Sequence, residues 1–176
     1  LVKYYLSEGH NVYGISRNPN VDLENFDNFS FLAQDLAAHE ELRLNIPAFL
    51  KDISKLDLVI LNAGILNDIK DMKDTSLEEI RNVMDVNVWA NKILIDVLFE
   101  NIDQITQVVA ISSGASKSGS RGWNAYSLSK ATLNILIDLY SKEQTDCHFC
   151  ALAPGLIDSN MQDYIYSLRE QEKFPV

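Results

Sequence analysis

Leu56-Asp57-Leu58-Val59-Ile60-Leu61 is a largely apolar run that stops at Asn62-Ala63-Gly64. A parallel strand buried on both faces needs such a run, and the glycine supplies a turn at its carboxyl end. Other segments follow the same grammar. His10-Asn11-Val12-Tyr13-Gly14-Ile15-Ser16-Arg17 reads as a short buried strand before the loop Asn18-Pro19-Asn20, and Phe29 to Leu32 as a second. Thr106 to Ile111 and Cys147 to Leu152 read as two more, the last leading to Pro154-Gly155.

Helical patterns separate these strands. Residues 38 to 51 are periodic but contain Pro47, which is expected to split or kink the helix near Ile46. Thr75 or Ser76, with Glu78 or Glu79 three positions on, is a capping-box signal. It opens a helix to about Glu100 with an apolar stripe of Leu77, Ile80, Val83, Met84, Val88, Ile95 and Leu98. Residues 124 to 143 and 159 to 170 complete the set. Strands alternating with helices predict an α/β fold, a doubly wound parallel sheet with helices on both faces.

The chain has 176 residues, 47% hydrophobic and 23% charged, a one-domain length with enough apolar material for a core. Its net charge of -10 and lack of any Lys/Arg run argue against nucleic acid and anionic membrane as main partners and favour small molecules. No stretch approaches the roughly 18 apolar residues of a membrane span and no leader pattern precedes the first element, so the expected location is cytoplasmic. Cys147-His148-Phe149-Cys150 has C-x-x-C spacing, but strand alternation puts the two cysteines on opposite faces, and no second Cys/His pair accompanies them. They read as structural thiols.

Arg17, Asp35, Asn62, Ser113 and Pro154-Gly155 each follow a predicted strand. Ligands of open α/β sheets sit beyond those carboxyl ends, so five separate positions point to one edge. Tyr126-Ser127-Leu128-Ser129-Lys130 adds chemistry, because residues four apart on a helix share a face. A tyrosine titrates near 10, too high for acid/base work at neutral pH, and a neighbouring lysine is expected to favour the phenolate. Ser113, thirteen positions upstream, offers a hydroxyl to the same substrate oxygen. Asn87 lies within the apolar stripe of the long helix, where an amide is costly unless its hydrogen bonds are met. Taken alone it reads as an amide bonded to neighbouring backbone; beside the other motifs a functional role is favoured.

Taken together, Asn62-Ala63-Gly64, Val86-Asn87, Ser113, Tyr126-x-x-x-Lys130 and Pro154-Gly155-Leu156-Ile157-Asp158-Ser159 resemble the single-domain short-chain dehydrogenase/reductase family in order and spacing. The resemblance covers essentially the whole chain, and implies a single NAD(P)-binding Rossmann domain over residues 1–176. Its implied activity is reduction of a small ketone, diketone or aldehyde. Tyr126 would donate the proton and Ser113 would hold the carbonyl oxygen. Lys130 would lower the proton affinity of Tyr126 and bind the nicotinamide ribose. Asn87 would kink its helix around a water that relays protons to Lys130.

The resemblance also assigns a cofactor edge. An acidic side chain after the first strand favours NAD and a basic one NADP; Ser16-Arg17 stands there, so NADP is expected over NAD. Asp35-Leu36 would line the adenine, although Asp35 also suits a helix N-cap before Ala37-Ala38. Asn62, Ala63 and Gly64 would wall the adenine ribose. Pro154, Gly155, Ile157 and Ser159 would meet the nicotinamide end, Ile157 through its backbone. A homodimer or homotetramer through the helices near 76–100 and 124–143 is implied as well.

Some of the family pattern is missing. The first strand and the T-G-x-x-x-G-x-G turn that receives the pyrophosphate would precede Leu1, and Leu1 to Gly9 reads as the end of a helix with a glycine C-cap. The chain therefore reads as a fragment at both ends, with a gap expected between the Val12 and Leu58 strands and poor activity on its own. Leu61 and Ala90 stand where the family often has Asn and Gly. Residues 161–175 bear a weaker similarity to benzil and sepiapterin-type reductases. The competing reading is a non-catalytic dinucleotide-binding or interaction protein; the joint presence of Asn87, Ser113, Tyr126 and Lys130 favours the enzyme.

Overall fold

The computed structural model describes residues 1–158 and 160–167. In chain order they form α1 (Val2–Ser7), β1 (Val12–Ser16), β2 (Phe29–Ala33), α2 (His39–Phe49), β3 (Lys55–Leu56) and β4 (Val59–Leu61). Next come α3 (Leu77–Met84), a π-helical stretch (Asp85–Trp89) and α4 (Ala90–Asn101). The remainder is β5 (Gln104–Ile105), β6 (Gln107–Ile111), α5 (Ala115–Ser118), α6 (Asn124–Glu143), β7 (His148–Leu152) and α7 (Asn160–Ser167).

Every strand pair is parallel, so helices must carry the chain back between strands. One sheet has the order β4-β6-β7 and a second pairs β1 with β2. The short pair β3-β5 continues β4-β6, since Leu56 faces Ile105 and Val59 faces Val108 without a change of register. Among the described residues no strand bridges β1 and β4, as the sequence led us to expect. Both sheets nevertheless share one core, in which Leu42 and Ile46 of α2, Val108 and Ala110 of β6, and Leu133 and Ile137 of α6 are buried. Ile15 and Leu32 of the smaller sheet pack against the same cluster.

Local chemistry explains most element boundaries. Ser76 Oγ accepts from Glu79 N–H at 3.2 Å and Glu79 Oε2 accepts from Ser76 N–H at 2.9 Å, a reciprocal capping box that starts α3. Leu77, placed in the apolar stripe by sequence, is 68% exposed. It occupies the first helical position, ahead of the face that packs inward. The single long helix expected to Glu100 is interrupted by the π-helical stretch, an insertion that hydrophobic periodicity does not reveal.

Pro47 does not split α2, which runs unbroken to Phe49. The proline lies in the last turn, and Leu50 N–H still reaches Ile46 C=O at 3.0 Å. The missing N–H removes the one bond that would reach back to the Arg43 carbonyl. Cys147 is buried and Cys150 half-buried, both as free thiols, and burial pushes the Cys147 thiol up. Among the described residues no helix is long and apolar enough to cross a membrane.

The packing of α2 distinguishes two leucines a short step apart. Leu42 has no exposed surface and Leu44 is 73% exposed. Urea unfolding should show Leu42→Ala losing about 2–5 kcal/mol, while Leu44→Ala stays within about 0.5 kcal/mol of the parent. Equal losses at the two positions would refute this assignment of the buried face.

Candidate active site

Tyr126 and Lys130 lie on successive turns of α6, with only 7% and 3% of their surfaces exposed. Trp123, at the N-cap position, offers no side-chain cap. A distant loop does so instead: Asn67 Oδ1 accepts from Tyr126 N–H at 3.0 Å, satisfying one of the donors a helix start leaves free. Asn124 Nδ2 donates to Lys70 C=O and Thr75 Oγ1, each at 2.7 Å, and Arg121 forms a two-pronged ion pair with Asp71 at 2.6 and 2.7 Å. Thus residues 67–75 fix the entry of the helix that carries the phenol.

Lys130 Nζ donates to Ile111 C=O at 2.7 Å, at the carboxyl end of β6, and sits 5.6 Å from the Tyr126 ring centroid. Burial pushes the lysine down to about 8, because its charged form loses water. Burial likewise pushes the Tyr126 phenol up, partly opposed by its hydrogen bond from Ser113. Desolvation of the phenol outweighs the help toward phenolate expected from Lys130, whose Nζ donates to the Ile111 carbonyl. Tyr126 is consequently protonated at neutral pH.

Asn87 is wholly buried in the π-helical stretch, and all its amide groups are engaged. Its Oδ1 accepts from Ile65 N–H at 2.8 Å, and its Nδ2 donates to Ile65 C=O and Ser129 Oγ, each at 2.9 Å. Ser129 Oγ in turn donates to Tyr126 C=O at 2.7 Å. The amide therefore bonds to backbone, as the plainer reading of the sequence held, and also reaches the tyrosine's helix. Gly64 closes the group: a Cβ there would lie 3.4 Å from Lys130 Nζ and 3.5 Å from Asn87 Oδ1.

Ser113 follows β6 and is half-buried; its Oγ accepts from Ala115 N–H at 3.2 Å. Its flanking serines bind one side chain of α6, with Ser112 Oγ donating to Asn134 Oδ1 at 2.6 Å and Asn134 Nδ2 donating to Ser116 Oγ at 3.0 Å. Ser113, Tyr126, Lys130, Asn87 and Gly64 thus form one group beyond the ends of β4 and β6.

The remaining edge residues are distributed as parallel strand ends dictate. Ser16 and Arg17 are exposed after β1, with Ser16 Oγ donating to Asn18 C=O at 2.7 Å. Asp35 is exposed after β2, and its Oδ1 accepts from Ala37 N–H at 2.9 Å, a local turn. It does not cap α2, whose N-cap position is Ala38. Leu36 is partly buried against the core. Asn62 is exposed after β4 and Ala63 is half-buried. Pro154 and Ile157 are exposed, and Gly155 has φ +82°, a backbone that suits glycine. Ser159 lies outside the described residues.

Sequence reasoning missed Asn67, Asn124, Ser129 and Asn134. Polar residues in a loop or on a helix flank carry no periodic signal, and their cross-element partners lie 18 to 59 positions away. Ser129 had one available clue, its place inside the Tyr126 to Lys130 motif.

Parallel strands with helical returns and a polar edge at their carboxyl ends define a Rossmann-type α/β domain. The short chain dehydrogenase family model matches residues 1–170, and the chain belongs to that family. An uncharacterized oxidoreductase of Schizosaccharomyces pombe is 31% identical over 160 residues, covering 86% of this chain and 63% of that protein. A benzil reductase ((S)-benzoin forming) of Bacillus subtilis is 29% identical over 180 residues, covering 95% of this chain and 72% of the relative. A crystal structure of a short chain dehydrogenase/reductase from Saccharomyces cerevisiae superposes with a TM-score of 0.86 at 23% identity, covering 99% of this chain and 72% of that one. The chain thus spans less than two thirds of the length of its fission-yeast relative.

Lys130 yields a stability signature. Its folded value near 8 lies below the ordinary 10.5, so between these limits the unfolded chain holds a proton that the folded chain has lost. The Lys130 contribution to stability must then rise with pH across that window, by on the order of 1 kcal/mol per pH unit. Cys147 and Tyr126, raised above their ordinary 9.0 and 10.0, work in the opposite direction above those values. Urea midpoints at about pH 8 and about pH 9.5 should therefore change more favourably with pH in the parent than in Lys130→Met. Equal slopes in the two would contradict a desolvated lysine.

Proposed function

We propose that the protein is an NADP-dependent oxidoreductase that reduces a small ketone, diketone or aldehyde to the alcohol, with Tyr126 as proton donor. The observation that carries this reading is the buried group of Tyr126, Ser113 and Lys130 at the strand ends, with the phenol held in its protonated form. A phenol that keeps its proton at neutral pH is charged for reduction, since it can deliver that proton to a developing alkoxide. Ser113 is placed to donate to the same oxygen, where charge grows in the transition state.

The residues present fit a dinucleotide. Gly64 leaves space beside Lys130 and Asn87 that a Cβ would fill. The exposed Arg17 offers a cation at the end of β1, where a ribose 2′-phosphate would lie, with Ser16 beside it. Asp35 and Leu36 would line the adenine, Asn62 and Ala63 its ribose, and Pro154, Gly155, Ile157 and Ser159 the nicotinamide carboxamide. When bound, the nicotinamide supplies the hydride. Lys130 would hold the ribose hydroxyls, and its ammonium beside the phenol would stabilise the tyrosinate left after proton transfer. Asn87, bonded to Ile65 and Ser129, would hold the Gly64 turn against α6.

The substrate class is supported by apolar surroundings. Trp123, Tyr126 and Ile165 form a buried cluster, with Leu66, Ile69, Ala115 and Met161 packed against it. Walls of this kind suit an uncharged carbonyl compound with an apolar body. The benzil reductase relatives are consistent with that class. We place a homodimer or homotetramer on the helices near 76–100 and 124–143, where Trp89 of the π-helical stretch and Leu128, Ile135 and Leu139 of α6 are between 42% and 62% exposed, and the protein in the cytoplasm.

The native protein should oxidise NADPH in the presence of an aromatic diketone. Tyr126→Phe should lose at least roughly a hundredfold in rate, the lower range for removing a general acid. Arg17→Asp should shift coenzyme preference toward NADH by about tenfold or more, the worth of one charge-assisted hydrogen bond. An unchanged rate in Tyr126→Phe refutes the proton donor, and an unchanged coenzyme ratio in Arg17→Asp refutes the phosphate site.

A further inference from the structure

Tyr126, Lys130 and Asn134 recur every fourth residue on α6, so the three side chains follow one face of the helix. The first two belong to the proposed reaction. Asn134 does not touch the phenol or the ammonium in any recorded bond; it grips the loop that carries Ser113. Its Oδ1 accepts from Ser112 Oγ at 2.6 Å and its Nδ2 donates to Ser116 Oγ at 3.0 Å. One amide therefore holds the residue immediately before Ser113 and the residue three after it.

The loop has further anchors at its two ends. Ser112 is 5% exposed, and its N–H donates to Leu152 C=O at 2.7 Å, which ties the start of the loop to the end of β7. Ser116 N–H donates to Ser113 C=O at 3.1 Å, closing a turn around the serine. The structure after Ser113 is otherwise slight, since α5 has four residues and no side-chain cap. Such a segment does not fix a hydroxyl by its own backbone, and an asparagine bonded to both flanks does.

The geometry points to Asn134 as a positioning residue, which sets the Ser113 hydroxyl against Tyr126 by bridging Ser112 and Ser116. Helix α6 then carries the proton donor, its cation and the clamp for its hydroxyl partner on one rigid face. The amide supplies a donor and an acceptor on one short side chain without a charge beside Lys130. This inference rests on the proposed role of Ser113 at the site, although one of its tests is independent of turnover.

The test combines Asn134→Leu, which keeps the volume and loses both bonds, with Ser113→Ala in a double-mutant cycle on the native protein. Asn134→Leu is expected to lower kcat by about tenfold to a hundredfold, the range for a misplaced catalytic group, with KM for NADPH unchanged. In the Ser113→Ala background the same change should cost less than about threefold, because the group it positions is gone. Asn134→Asp, which can accept from both serine hydroxyls, should recover part of the loss. Multiplicative losses in the cycle would overturn the inference.

The second readout is tyrosinate absorbance of each variant, taken as a difference from its Tyr126→Phe counterpart. Ser113→Ala should raise the Tyr126 titration by removing a hydrogen bond to the phenolate, and Asn134→Leu should raise it in the same direction. If Asn134→Leu leaves that titration in place, the positioning role fails, whatever the enzyme turns over. If no variant including the parent reduces a carbonyl, the functional reading fails, and the titration alone decides the inference. Should Asn134→Leu not fold, Ser116→Ala removes one of the two bonds from the opposite side and is judged by the same cycle and titration.

Discussion

The hydrogen bonding of one buried amide holds the site together. Asn87 joins three pieces of chain that lie far apart in sequence: the turn after β4, the helix that runs from α3 to α4, and α6 through Ser129. Its donor and acceptor both meet Ile65 backbone, so the irregular turn at 62–65 is satisfied without a sheet or helix partner. The cost of leaving either group unpaired in a wholly buried place is about 1–3 kcal/mol, which makes the arrangement close to all-or-none. The π-helical insertion contributes by turning Asn87 inward and freeing carbonyls from the regular ladder. The Asp85 carbonyl accepts from Ala90 N–H within the insertion and also lies 3.0 Å from His39 Nε2, linking α2 to the same irregularity. Gly64 faces the same group, where a Cβ would come into van der Waals contact with both Asn87 and Lys130.

Burial sets the electrostatics of the site in a direction the motif alone does not announce. A lysine beside a tyrosine suggests an easily formed phenolate, yet desolvation acts on both groups and favours the neutral form of each. The Ile111 carbonyl holds the lysine, and the Ser113 hydroxyl tempers the phenol. The result is a protonated acid with a cation of weakened hold close by, a pairing suited to giving a proton away and then accommodating the charge left behind. On the proposed reading, compact packing and acid/base competence are therefore one property of this site.

The fold was legible where it depends on repeated local rules. Continuous apolar runs located β1, β2, β4, β6 and β7, and the Ser76 to Glu79 capping box located the start of α3, because burial on two faces and helix initiation each leave a short-range pattern. The 124–143 helix matches its expected bounds. Misreadings arose where a long-range term outweighs a local one. Pro47 is accommodated inside α2, which runs on to Phe49, and Leu77 is exposed because it sits ahead of the packed face. At the site, motif spacing brought Ser113, Tyr126 and Lys130 to notice. The residues that orient them, Asn67, Ser129 and Asn134, act through tertiary hydrogen bonds and have no sequence period to betray them.

The tethers at the entry of α6 suggest why so many polar bonds converge beside an apolar cluster. Leu66 and Ile69 pack against Trp123, Tyr126 and Ile165, while the neighbouring Asn67, Lys70, Asp71 and Thr75 bond to residues 121–126. Hydrophobic contact alone is non-directional and would let this loop slide across the aromatic rings. Directional bonds from the same few residues fix its register, so the apolar surface faces the phenol in one arrangement. That arrangement keeps water from Tyr126, which is the cause of its raised proton affinity. On the proposed reading the loop that would wall the substrate side also tunes the acid, and a change in its packing would alter recognition and proton transfer together.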